Sequence, residues 1–399
     1  MKQVYAIGSF PSTSGDSTIT TASERPTVPQ ICATSTGIDL ELRQQLLPYL
    51  GYAPPPGRLP EAAEPLPIRL ALLSLGPIGR VLIHVTPTET GYFTHALLNV
   101  PAAADAQLVS QTWGSPAWEH SWEKPTPGST ADLPDLPYLP VAEVIEDARL
   151  KAWLGTPSHQ ELLEFVLTAL LSTPSTTRIF LAVTAPDMAQ IVYGVTRAMP
   201  PGMLDDFTFS TYEPEPLLSP ARLTGHDTGS AEWDLPEACF TDAGVAFNPR
   251  TGQRSLLPEV VPFAGFAVKA LATGEYGPLD EFKATWQRLG MSGTRQFDLV
   301  FRLARGTGIL TKEETAEALQ YPPLTAWVSA RSDALNQFLE WALEDRHFAE
   351  ESFSRVAQSL RQKPELLAKI GQTIREAGLK AVRDGDRSRT ANALEVILP

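Results

Sequence analysis

Proline decides where this chain cannot be regular. Of its 399 residues 36 are proline, and two runs concentrate them: YAPPPGRLPEAAEPLP, Tyr52 to Pro67, and EKPTPGSTADLPDLPYLP, Glu123 to Pro140. Proline has no backbone N–H and a fixed φ, so neither run suits a helix interior or a central strand. The first predicts an extended loop and the second a break between folding segments. A chain of this length also exceeds what one core sustains, so two or three units are expected.

The breaks separate three kinds of pattern. Up to about residue 140 the apolar stretches are short: AIGSF, RVLIHVT, GYFTHALLNV and AQLVSQTW read as strands between turn signals. One helix is expected at DLELRQQLLPYL, with Asp39 as its cap and Leu42, Leu46 and Leu47 on one face. From Val141 the pattern alternates. VAEVIEDARLKAWL, HQELLEFVLTALLS and PDMAQIVYGVTRAM are predicted helices, while RIFLAVT, DFTFSTY, ARLTGH and EACFTD are predicted strands.

Beyond Gly277 the periodicity is helical. TKEETAEALQ carries a capping box from Thr311 to Glu314, and SDALNQFLEWALEDRHF places Leu335, Phe338, Leu339, Ala342 and Leu343 on one stripe. PELLAKIGQTIREAGLKAV opens with Pro364 in the first turn and directs Leu366, Leu367, Ile370 and Ile374 inward. The expected fold is a multidomain α+β and α/β protein. Its parts are a β-rich N-terminal domain over 1–140, an α/β middle domain over 141–277 and an all-helical C-terminal region over 278–399.

Charge narrows the partners. The net charge is −14. Residues 1–150 hold 8 Lys+Arg against 15 Asp+Glu, 151–279 hold 7 against 14, and 280–399 hold 17 against 17. No basic footprint for a phosphate backbone exists, which argues against nucleic acid as a partner. The most apolar run, IRLALLSLGPIGRVLIHV, carries Arg69 and Arg80 and does not suit a bilayer span. The start MKQVYAIGSFPSTSG lacks the apolar core of a signal peptide. Cys32 and Cys239 fit neither a disulfide framework nor a zinc site. A cytoplasmic protein without a membrane partner is expected.

Catalytic patterns are scarce. Asp227-Thr228-Gly229-Ser230 spells the turn of an aspartic protease, but that chemistry needs two carboxylates sharing a proton and the string occurs once. RGTGILTK, Arg305 to Lys312, lacks the spacing of a phosphate-cradling loop. No G-x-S-x-G elbow occurs, and the six histidines show no ligand spacing. No catalytic residue, metal site or cofactor is therefore predicted. Candidate binding residues are the aromatics and their polar neighbours: Tyr92, Phe93 and His95 in one stretch, Trp113, Trp118 and Trp122 in the next, and Tyr212 with Glu213 in YEPEP. Large aromatics in loops serve as interface anchors or as plugs of a core. His95 equally suits a hydrogen-bonded structural role, and YEPEP a solvated acidic turn. An enzyme assembled from distant residues would draw on His95, Glu213 and Asp227; a structural subunit of an assembly needs no site at all.

Two stretches also carry a resemblance. GYFTHALLNV followed by QTWGSPAWEHSW resembles the N-terminal module of the GTPase-associated protein one family of bacterial conflict-system gene clusters, and the opening KQVYAIGSF is similar to the family's start. AMPPGMLDDFTFSTYEPEP followed by ARLTGH resembles that family's middle domain. The likeness spans roughly residues 1 to 230. It implies a non-enzymatic adaptor or accessory protein that works beside a separate GTPase and other proteins in a bacterial defence-like system. It brings no catalytic residue with it. Family members often continue into a further C-terminal domain, so a chain stopping at Pro399 is expected to be a short version or a piece of one.

Overall fold

A computed structural model of the chain describes residues 1–10, 28–55, 65–101, 106–121, 130–142, 144–227, 234–258, 261–290, 296–305, 364–387 and 389–391, with isolated positions between 311 and 341. The chain divides into two units, Met1–Lys283 and Ala284–Pro399.

The first unit is organised by one sheet. Its strands are β1 (Lys2–Ser9), β2 (Gln30–Ser35), β3 (Arg69–Ser74), β4 (Arg80–Pro87), β5 (Gly91–Leu98), β6 (Ala131–Leu133), β7 (Arg178–Leu181), β8 (Phe209–Ser210), β9 (Leu223–Gly225), β10 (Gly244–Asn248) and β11 (Gln253–Arg254). They run in the spatial order β11-β10-β7-β9-β8-β3-β4-β5-β1-β2-β6. From β3 to β2 neighbours are antiparallel. From β10 to β8 they are parallel. The halves meet where β8 pairs antiparallel with β3, Ala71 opposite Ser210 and Leu72 opposite Phe209. The fold is thus mixed α/β around an eleven-stranded sheet among the described residues, and strands read in segments 1–140 and 141–277 share it.

Strand β5 shows how the sequence sets the two faces. Every residue of GYFTHALL is buried, which requires cover on both sides. Tyr92, Ala96 and Leu98 join an apolar layer with Val4, Ala71, Ile83, Val85 and Leu46. Phe93 and His95 project to the opposite face, where Phe93 packs with Tyr5, Cys32, Ala33 and Leu133. Two glycines let β1 approach β5: a Cβ on Gly8 would lie 2.2 Å from the Tyr92 ring, and one on Gly91 would lie 2.0 Å from the Gly8 carbonyl oxygen.

The helices of this unit are α1 (Leu40–Leu46), α2 (Ala106–Ser110), α3 (Asp147–Trp153), α4 (Pro157–Ser172), α5 (Ala185–Ala198), α6 (Pro262–Thr273) and α7 (Gly277–Leu289), the last of which crosses the unit boundary. Asp39 caps α1 as expected, accepting the Leu42 N–H at 2.8 Å. Thr184 caps α5 through the Asp187 N–H at 3.3 Å. Helix α6 ends at Gly274 with φ of 78°, a left-handed stop that returns its N–H to the Ala270 carbonyl. Helices α3 to α6 pack on one another, and α4 also lies against β10.

Two expected strands have another form. AQLVSQTW begins as α2 and continues in turns: the Gln111 N–H reaches the Gln107 carbonyl at 3.0 Å and the Ser110 hydroxyl the same carbonyl at 2.7 Å. Those local bonds satisfy the backbone without a ladder. EACFTD is a 3-10 turn over Glu237–Phe240 that starts after Pro236 and buries Cys239 against Phe180 and Ala246. The proline-rich break at 123–140 contains β6, parallel to β2.

In the second unit the described elements are helical: α8 (Phe297–Arg305) and α9 (Pro364–Arg383). Trp286 packs edge-on against Phe297, ring centroids 4.9 Å apart. The capping box forms as read, with the Thr311 hydroxyl accepting the Glu314 N–H at 3.2 Å and the Glu314 carboxylate accepting the Thr311 N–H at 2.9 Å. Arg302 ties that carboxylate to Asp298 one turn back on α8. Ile374 of α9 is buried. The stripe from Leu335 to Leu343 lies outside the described residues.

Candidate functional site

Three histidines gather around Trp118 on one face of the sheet. His84 of β4 and His95 of β5 are cross-strand partners. The His84 ring stacks on the Trp118 indole at 4.8 Å and 4°, while His95 meets it edge-on at 5.0 Å and 89°. His120 stands 5.7 Å from His84. Trp118 is buried and donates its indole N–H to the Thr112 carbonyl at 2.7 Å, which pins the turns after α2 to the sheet.

Hydrogen bonds assign the His95 tautomer. Its Nδ1 accepts the Glu119 backbone N–H at 3.3 Å, so the proton sits on Nε2 and is donated to the Gln3 carbonyl oxygen at 3.0 Å. Gln3 passes its own amide to the Pro134 carbonyl at 2.6 Å, and the Tyr5 hydroxyl donates to the same Gln3 oxygen at 3.3 Å. Burial, reinforced by neighbouring histidines, pushes both His84 and His95 down to about 3, so both rings are neutral at pH 7. Burial, with Glu119 and Cys32 adding to it, raises Tyr5 to about 12. A base as weak as this His95, with both nitrogens already engaged, is suited to holding structure rather than to moving protons at neutral pH.

The opposite face carries the second polar group. Arg69, at the start of β3, is buried and reaches the Glu213 carboxylate with Nη2 at 2.7 Å and Nε at 3.1 Å. Its Nη1 donates to the carbonyls of Tyr49 at 2.9 Å and Gly51 at 3.3 Å. The Glu213 N–H donates to the Gly225 carbonyl at 2.8 Å, and His226 Nδ1 lies 2.8 Å from the Glu213 carbonyl. Gly225 permits this approach, because a Cβ there would fall 2.5 Å from the Thr211 carbonyl oxygen. Reading YEPEP as a solvated acidic turn therefore fails at Glu213, which is only 9 % exposed and bonded to a guanidinium brought from 144 residues away.

The remaining predicted residues fall around these two groups. Tyr92 and Tyr212 flank Tyr52 on the Arg69 face, with ring centroids 5.9 and 5.5 Å from it. The Tyr212 hydroxyl donates to the Ala53 carbonyl at 2.9 Å. Phe93 lies against Tyr5 at 5.5 Å. Trp113 is half-buried against the apolar layer. Trp122 and Thr228 to Ser230 lie outside the described residues, whereas Asp227 is described and buried. The structure brings His95 and Trp118 together, and Tyr92 near Tyr212, but the sheet separates His95 from Glu213. An enzyme built on that pair gains no support. Among the described residues no cluster of three or more His, Cys, Asp or Glu side chains is arranged to hold a metal ion.

Arg69, Gln3 and His84 were not anticipated as members of these groups. Arg69 left one signal, a charge at the head of the otherwise apolar string RLALLS, which in a buried strand demands a partner. No helix of the described residues is long and apolar enough to cross a membrane. No curated protein matches the chain. Residues 29–139, which include β2 to β6 and the turns carrying Trp113 and Trp118, match the family model GTPase-associated protein 1, N-terminal domain type 2, so this stretch of the chain is similar to that family's N-terminal domain.

Proposed function

We propose that the protein is a non-enzymatic accessory or adaptor component that works with a separate GTPase through protein–protein contacts in a bacterial conflict system. The match of residues 29–139 to a GTPase-associated family carries this reading. Two features agree with it. The candidate polar side chains are engaged in internal bonds, His95 with Gln3 and Glu119, and Glu213 with Arg69. The turns over 111–120 place Pro116, Ala117, Glu119 and His120 at the surface while Trp118 anchors them from beneath. In this reading Trp118, His95 and Phe93 underlie the contact surface, and Trp113, Tyr92, Tyr212 and Glu213 brace the sheet behind it.

The test is affinity purification of the full chain from its native cell, with a GTP analogue and with GDP in parallel, followed by mass spectrometry. A GTPase retained in one nucleotide state supports the adaptor reading, and its loss on Trp118→Ala in a chain that still folds ties it to the turns. Absence of any GTPase in both states overturns the reading.

A further inference from the structure

At the β11 end of the sheet, far along the strand order from the histidine cluster, lies an open groove of about 460 Å³ between α4 and the chain that leaves β11. Phe165 and Thr168 line it from α4, with Phe165 held against Phe247 of β10 at 5.3 Å. Leu256 and Leu257 form the other side, and Leu256 is 96 % exposed. A single exposed leucine is ordinary, but Leu256 shares this groove with Leu257 and Phe165, so the apolar surface there is contiguous and open to cover.

The groove also has a sign. Glu161 is spent on Arg254, 2.7 Å away across the groove. Glu164, one turn on, is exposed, and among the described residues no hydrogen bond or ion pair engages its carboxylate. The surrounding segment, residues 151–279, holds 7 Lys+Arg against 14 Asp+Glu. A cation entering beside Glu164 therefore meets an acceptor that no donor among the described residues occupies, on a segment whose net charge is negative. The strand beside the groove, β11, is the last in the sheet order among the described residues, and an edge of that kind can take up an extended chain.

We infer that this groove docks a short, extended, basic and apolar segment of a protein partner. One large apolar side chain rests on Phe165, Leu256 and Leu257, and a Lys or Arg side chain pairs with Glu164. The inference stands on the α4–β11 geometry and does not depend on whether the partner in the preceding section is a GTPase.

The test uses the full chain and a display library of random dodecapeptides, selected on the wild type and on the double variant Glu164→Lys/Leu256→Ser. Both positions are exposed, so the variant is expected to fold, which its unfolding midpoint checks. Expected are enriched peptides with Lys or Arg two or three residues from Leu, Ile, Phe or Met, bound at least about tenfold more weakly by the double variant. Glu164→Gln alone is expected to lower affinity about threefold to tenfold and to flatten its salt dependence. An acidic or purely polar consensus overturns the inference. So does equal binding by the double variant, or no enrichment above an unrelated acidic protein. Retention of a GTPase by the double variant leaves the adaptor reading standing while this one fails if the peptides are also indifferent to the variant; peptides lost on the variant with no GTPase retained by the wild type give the reverse.

Discussion

Acid should loosen this fold through two rings that the sheet keeps neutral. His84 and His95 are held at about 3 in the folded chain, chiefly by burial, against an unfolded value of about 6.5. The groups that face them are each other, His120, Glu119, Tyr5 and the Trp118 face. Between about pH 6.5 and about pH 3 the unfolded chain binds the protons that the folded chain refuses. Their contribution is therefore complete above the unfolded value and is lost as pH falls toward the folded one. At pH 5 an unfolded histidine is protonated roughly thirtyfold over and a folded one hardly at all, so each ring lowers stability by about 2 kcal/mol relative to pH 7.5. The two together give about 4 kcal/mol, a large share of the roughly 5–15 kcal/mol typical of a domain. Urea unfolding at both pH values, followed by tryptophan fluorescence, measures it. Replacing His84 by Phe keeps a ring on Trp118 and should shrink the pH-dependent loss by about half. Were His84→Phe to lose as much stability between pH 7.5 and pH 5 as the wild type, burial of neutral His84 would not be the cause.

Three further outcomes follow from packing and pairing. Arg69→Met strands a buried Glu213 carboxylate and should cost about 3–5 kcal/mol in urea unfolding, whereas Arg69→Met/Glu213→Leu should recover much of it; a loss below about 1 kcal/mol for the single change refutes the pair. Gly8→Ala drives a methyl into the Tyr92 ring and should cost about 3 kcal/mol, read as a lowered unfolding midpoint at unchanged slope. Arg197→Ala removes bonds to Asp280 at 2.7 Å and a contact with the Tyr276 ring at 4.7 Å. Because Asp280 is half exposed the expected cost is about 1–2 kcal/mol, with faster amide exchange at the start of α7.

What the sequence reveals here is mostly local. Asp39 before an apolar helix face and Thr311 three residues ahead of Glu314 form the caps their spacing implies. What stays hidden depends on partners distant in the chain. Glu213 reads as a surface charge because nothing near it announces Arg69, and His95 reads as a lone ring because Gln3 lies 92 residues away. Val109 in α2 misled for a related reason: a short apolar run fits a strand or a turn equally well until its hydrogen bonds are known. Segment β10 is brief and apolar, and only its pairing with β7 and β11 makes it a strand.

The place of β1 has a consequence for cutting this protein apart. The span recognisable as a family domain starts at residue 29, yet β1 lies wholly before it and is inserted between β5 and β2, with all eight of its residues in register with β5. A fragment trimmed to the family boundaries would lose that central strand, leave β2 and β6 as a loose ribbon, and bare the Tyr92 to Leu98 edge to any neighbouring chain. The stretch matched by the family model and the stretch tied together by the sheet differ in length, and a transplantable version of this module has to bring Lys2 to Ser9 with it.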